Sequence, residues 1–266
     1  MNDRLKTMLE VSRRHNPNFG PESDFGLSRK KHYDVLVVAP GWKPTKIIKD
    51  ASFTVRTTAS HSYISGYEVE KEGFLAAWIQ TASGAGNILD RMSVCLEMNV
   101  DKLVFIGAVG GLAEGIQIGE LCTPACSIDG TMAGGYLQEN LQNYRLFETI
   151  LPPDRAFLDR VIALAAEKGM EIKKRKIFCT DSIFAEYAHL PFIRSTGAEC
   201  IEMETAAFYR LAALWGKPAV ALHVVSDNSA AGQPLIGMPK EQKARYHEAR
   251  CTLIPRMIEL IGTMEV

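Results

Sequence analysis

Lys102-Leu103-Val104-Phe105-Ile106-Gly107-Ala108-Val109-Gly110-Gly111 is the stretch that sets the fold. Its apolar run, residues 103–106, reads as a buried strand, and residues 107–111 read as a glycine turn at its carboxyl end. The same unit stands twice upstream. Residues 34–39, Asp-Val-Leu-Val-Val-Ala, end at Pro40-Gly41, and the apolar run 74–80 ends at Ser83-Gly84-Ala85-Gly86. Between that second turn and Lys102, residues 87–98 carry Ile88, Met92, Cys95 and Leu96 at helical spacing. Strand, glycine turn, helix, strand, glycine turn is the rhythm of an α/β domain.

The rhythm continues downstream. Residues 156–168 read as a helix stopped by Gly169, and 176–180 as a strand leading into Asp181-Ser182. Residues 202–215 read as a helix stopped by Gly216 with Pro218 beyond it. Residues 219–225 read as a buried strand ending at Ser226-Asp227-Asn228, and a long helix runs from 238 or 239 to 261. The expected fold is α/β: a single domain over residues 32–266 with a central mixed, mainly parallel β-sheet flanked by helices. Residues 1–31, with Asn16-Pro17-Asn18 and Ser28-Arg29-Lys30-Lys31, are expected as a polar, exposed N-terminal extension.

Composition removes several function classes. Thirty Lys and Arg against 31 Asp and Glu leave a net charge of −1, which excludes a broadly basic nucleic-acid binder. No apolar run reaches the ~18 residues of a membrane span, and residues 1–31 lack the apolar core of a secretory signal. A cytoplasmic protein is expected, with no nucleic-acid or membrane partner. The six cysteines are scattered. Cys122 and Cys126 stand four apart with no second Cys or His pair at zinc spacing, so no metal site is expected.

In open α/β sheets ligands bind outside the carboxyl ends of the strands, and here those ends carry the polar information. The glycines at 107, 110 and 111 have the spacing G-x-x-G-G, not G-x-G-x-x-G, which disfavours a dinucleotide-binding dehydrogenase. Asp227 follows an apolar strand and precedes a small-residue loop. It reads either as a turn aspartate or as a general acid tuned by partial burial. Glu202 and Glu204 flank Met203 at a helix start, where the dipole favours acids, although the preceding run reads as buried. His223 reads as a core histidine inside its strand.

These pieces together resemble the superfamily of purine-nucleoside and uridine phosphorylases and of methylthioadenosine and AMP nucleosidases. The resemblance covers most of the chain. Its most specific match is Glu202-Met203-Glu204-Thr205-Ala206-Ala207, which is similar to that family's Glu-Met-Glu-Ala-Ala segment. Val225-Ser226-Asp227 resembles its Ser-Asp strand end, and Thr180-Asp181-Ser182-Ile183-Phe184 resembles the segment that sets an aromatic against the base. Gly41, the turn at 83–86 and the turn at 107–111 resemble its three glycine turns.

The resemblance implies roles by position. Asp227 would protonate the leaving base, with Ser226 beside it. Glu204 would hold the ribose hydroxyls, with Glu202 near and Met203 under the sugar. Phe184 would stack on the base, with Ile183 alongside. Ala85, Gly86, Gly107 and Ala108 would bring backbone close to ribose and nucleophile. Gly41, Lys43 and Lys46 would form the phosphate or nucleophile site. The implied activity is cleavage of the N-glycosidic bond of a nucleoside, purine-like by preference, in a homo-oligomer (dimer, trimer or hexamer). No cofactor is implied beyond inorganic phosphate as a possible co-substrate.

Departures from the family pattern leave the nucleophile open between phosphate and water. Phe105 and Thr45 stand where phosphorylases carry arginines, and Trp42 and Lys43 stand where nucleosidases carry a glutamate. The rival reading is a non-catalytic nucleoside-binding or storage protein with the same fold.

Overall fold

The computed structural model describes residues 1–147, 149–150 and 154–265. The chain runs α1 (Asp3–His15), α2 (Pro21–Phe25), β1 (His32–Pro40), α3 (Pro44–Ile47), β2 (Thr54–Ser60), β3 (Ser65–Lys71), β4 (Phe74–Thr81), α4 (Ala85–Ser93), β5 (Asn99–Gly111) and β6 (Leu121–Asp129). It continues through β7 (Thr149–Ile150), α5 (Arg155–Glu167), β8 (Lys173–Cys179), α6 (Ile183–Ser195), β9 (Cys200–Glu202), α7 (Thr205–Trp215), β10 (Ala219–Asn228) and α8 (Lys240–Thr263).

The unbroken apolar strands β1, β4 and β10 are buried over almost their whole length, so both faces of the sheet must be covered. Helices cover them. One apolar layer joins Val35, Val37 and Trp78 to Phe157 and Val161 of α5 and Ile254, Met257 and Ile258 of α8. The other joins Leu36, Val38 and Phe105 to Ile88 and Met92 of α4 and Phe208 and Leu211 of α7. This alternation along β1 is the period of two that puts neighbouring side chains on opposite faces. No helix among the described residues is long and apolar enough to cross a membrane.

The sheet is mixed. β1 lies between β4 and β5, parallel to both, and β5 is also parallel to β10. β2 and β3 form an antiparallel hairpin beside β4, and β9 runs antiparallel to β5. The order closes on itself: β5, β9, β8, β6 and β10 pair in a ring, since β10 bonds both β6 and β5. Val109, Ile177, Cys200, Cys122 and Val225, one from each of those five strands, pack together with Ile116 to fill the ring.

Two expectations are corrected here. Residues 1–31 are not an exposed tail: Leu5 and Leu9 of α1, Phe25 of α2 and Leu27 just after it are buried in the same layer as Met92 and Phe208. Leu5 and Leu9 are one helical turn apart, so a mostly polar segment still presents an apolar face. Residues 107–111 do not turn either; they extend β5 to its end at Gly111. Their glycines make room for neighbouring side chains. A Cβ at Gly110 would lie 2.8 Å from Asp227 Oδ2, and one at Gly111 would lie 2.8 Å from Asn228 Cγ.

Candidate active site at the carboxyl rim of the sheet

A cavity of about 200 Å³ opens at the carboxyl ends of β1, β5, β9 and β10. Two backbone features aim its acidic groups. The pairing of β10 with β5 slips between Val225 and Asp227, a bulge that re-aims the strand end. At the other wall, β9 ends at Glu202 and α7 starts at Thr205, so Met203 and Glu204 sit in the joint between them.

Asp227 is buried at the bulge. Its Oδ1 accepts a hydrogen bond of 2.6 Å from Ser226 Oγ. Burial pushes its carboxyl above the usual aspartate range, against the lowering effect of that hydroxyl. Glu204 caps α7, and its Oε1 accepts from the backbone N–H of Gly84 at 2.6 Å. Burial first, and the neighbouring Glu202 second, push it up to about 8. Gly84 has φ of +102°, a left-handed backbone that glycine adopts without strain, and this conformation belongs to the turn that delivers its N–H.

Glu202 lines the cavity and is also tied into the backbone of the joint. Its Oε2 accepts from the N–H groups of Glu204 (2.7 Å) and Thr205 (2.9 Å). Its Oε1 accepts from Thr205 Oγ1 at 2.7 Å and from the Cys179 thiol. Both oxygens are therefore occupied at the start of α7, satisfying donors that the helix cannot bond itself. Glu202 thus holds the joint that carries Glu204.

The cavity gathers Asp227, Ser226, Glu204, Met203, Ile183, Gly107 and Ala108 of the expected residues. Others stand elsewhere. Phe184 is 93% exposed, because the helix period turns it outward while Ile183 faces in. Gly86 lines a separate groove of about 970 Å³ between α1 and α4, and Ala85 is buried in the first turn of α4. From the Ser83–Gly86 turn it is Ser83 that lines the cavity, while the N–H that reaches Glu204 comes from Gly84. Gly41, Lys43 and Lys46 do not line it; Pro40 at the end of β1 and Trp42 in the loop after it do. Lys46 is exposed on the short α3, where the chain has already turned away.

Among the lining residues that sequence reasoning did not assign to the site are Trp42 and Glu186. Trp42 is held in place as its carbonyl accepts 3.0 Å from Trp78 Nε1. Glu186 lies in the first turn of α6, and burial, with Asp227 adding, pushes it up to about 7. His223, expected in the core, is fully buried beside Phe105, and burial pushes its imidazole down to about 3. The cavity is thus walled by four carboxylates, Glu186, Glu202, Glu204 and Asp227, and among the described residues no Lys, Arg or His lines it. The ligand atoms of His32, Asp34 and Asp101 come within 4.8 Å of one another, but at the amino ends of β1 and β5. His32 there bonds Asp101 at 3.0 Å, and Asp34 accepts from the N–H of Leu75 at 2.7 Å.

The family model of the phosphorylase superfamily matches residues 82–259, the span that holds these walls. The chain belongs to the phosphorylase superfamily. This superfamily member is 26% identical to the DeoD-type purine nucleoside phosphorylases of Anoxybacillus flavithermus and Geobacillus stearothermophilus over 155 residues. That match takes in 56% of this chain and 61% of theirs, so the chain spans about three-fifths of the length of these curated relatives. In fold it is similar to uridine phosphorylase from Vibrio fischeri ES114, with a TM-score of 0.69 at 13% identity over 89% of this chain and 93% of that one.

Proposed function

We propose that the protein cleaves the N-glycosidic bond of a nucleoside with a purine-like base, that water is the attacking nucleophile, and that the chain works as a cytoplasmic homo-oligomer. The supporting observation is the wall of the cavity: a protonatable Asp227 and a backbone-held Glu204 converge there with no basic side chain among the described lining residues. Breaking the bond leaves positive charge on the ribose and negative charge on the base. Asp227 donates its proton to a base nitrogen as the C1′–N bond breaks, catalysis worth ~10²–10⁴-fold. Glu204 accepts from the ribose hydroxyls, and the positive charge that develops on the sugar favours its ionised form against the burial that raises its carboxyl. Water adds to C1′, and the proton it releases restores Asp227.

Burial raises the Asp227 carboxyl, which keeps a fraction of it protonated closer to neutral pH than an exposed aspartate. A phosphate dianion in the same cavity would face four carboxylates with no guanidinium to bind it in bidentate fashion. Phosphorolysis is the second reading, favoured by the names of the purine nucleoside phosphorylase relatives. It requires a cation supplied from outside this cavity wall, such as a second copy of the chain.

The test is base release from a panel of nucleosides, 5′-phosphates and 5′-thio analogues, with and without phosphate. The expected result is free ribose at a rate independent of phosphate. Ribose 1-phosphate formed only with phosphate would establish the second reading. Binding without release from any member would make this a binding or storage protein.

A further inference from the structure

One lining group has no part in the reaction described above. Glu186 is only 9% exposed, although a glutamate in the first turn of a helix is ordinarily held in water by the dipole alone. Its backbone N–H makes the first bond of α6, to the carbonyl of Ser182, and Ser182 caps the helix through the N–H of Ala185 at 3.1 Å. The helix start is thus satisfied without the Glu186 side chain. Among the described residues no donor bonds its carboxylate, and the charge that acts on it is that of Asp227, of the same sign. A buried carboxylate left in this way is costly unless something compensates it.

The helix geometry says where the compensation enters. Ile183 and Glu186 are three residues apart on α6, so they form one stripe, and both line the cavity. Ile183 offers an apolar contact, and Glu186 extends beyond it toward the cavity that Asp227 shares. We infer that Glu186 is a specificity-determining residue that accepts a hydrogen bond from the base, selecting bases whose edge presents an N–H donor (an exocyclic amine or a ring lactam N–H) over bases that present only lone pairs. This rests on the nucleoside-cleaving reading and deepens it. A carboxylate accepting from such a donor is charge-assisted, and a site built for that donor discriminates strongly against its absence.

The experiment compares adenosine, inosine and guanosine with unsubstituted purine riboside, which has neither an amine nor a ring N–H. The expected wild-type kcat/KM ratio, best donor-bearing nucleoside over purine riboside, is tenfold or more. In Glu186→Gln it falls at least tenfold, since the amide is uncharged and brings donors of its own. A ratio within twofold of wild type in the variant overturns the inference.

Calorimetric binding of the free bases, in wild type and in an Asp227→Asn background, supplies a readout independent of turnover. There the donor-bearing base binds more tightly as pH rises through the ionisation of Glu186, which lies at about 7 in wild type and lower in the Asp227→Asn background, and Glu186→Gln removes that dependence. Asp227 of β10, Tyr187 of α6, and Glu202 and Glu204 at the opposite wall are the other titratable groups in play; the Asp227→Asn background removes the one that acts on Glu186 directly. A pH profile identical in both proteins overturns the inference. Base discrimination that depends on Glu186 without cleavage of any nucleoside would sink the proposed reaction and leave this inference standing. Cleavage with no such discrimination would do the reverse.

Discussion

The two ends of the cavity are built differently. At the acidic end, every carboxyl is buried and three of the four are fixed in place: Asp227 by a strand bulge, Glu204 by the N–H of Gly84, and Glu202 by the N–H groups of Glu204 and Thr205 and the Thr205 hydroxyl. Elsewhere in the lining, the end of β1 and the loop after it offer Pro40 and Trp42, and the lysines that follow do not line the cavity. The difference teaches which half of the proposed chemistry this chain is equipped for: in that reaction the charge at base and sugar would meet preorganised acidic side chains, and the nucleophile would meet Pro40 and Trp42 rather than a basic group.

The sharpest way to break that comparison is Asp227→Asn. The amide keeps the shape and loses the proton, so kcat should fall by ~10²–10⁴-fold while nucleoside affinity changes little. Steady-state kinetics beside direct ligand binding check this, and turnover near wild type would remove the acid from the mechanism. Next in size is Glu202→Ala. It leaves the N–H groups of Glu204 and Thr205 and the hydroxyl of Thr205 without their acceptor, so the protein should lose about 2–4 kcal/mol of stability. Denaturant unfolding measures it. Activity lost at full stability would instead make Glu202 a ligand-binding group.

The smallest effect belongs to the other end. Lys43→Ala and Lys46→Ala should each change kcat/KM less than twofold, with or without phosphate, because neither side chain lines the cavity. A phosphate-dependent loss of tenfold in either variant would show that the loop after β1 does hold an anion.

Much of this was legible in the chain. The apolar runs ending at Gly41, at 83–86 and at Asp227 gave the strands and their rim, since a buried strand leaves an unbroken hydrophobic signature. The segment around Glu204 stood out because acids followed an apolar run. What stayed hidden did so for physical reasons. Glu186 looks like any dipole-favoured acid at a helix start, and only the tertiary path of α6 buries it. Phe184 and Ile183 are adjacent in sequence, and which of them faces inward depends on helix phase, which two residues do not reveal. Leu5 and Leu9 were masked by polar neighbours, and the glycines of β5 imitated a turn because close packing and chain reversal call for the same residue.

The close approach of Gly110 to Asp227 has a consequence for how this site can change over generations. A methyl group on residue 110 would stand 2.8 Å from the Asp227 carboxylate, so no side chain can be added there without displacing that carboxylate. The two positions are therefore coupled: a side chain at residue 110 and the present placement of the Asp227 carboxylate do not fit together. If Asp227 is the acid of the proposed reaction, a bulky residue at this place on β5 would mark a relative whose acid has been moved, even where the aspartate itself survives.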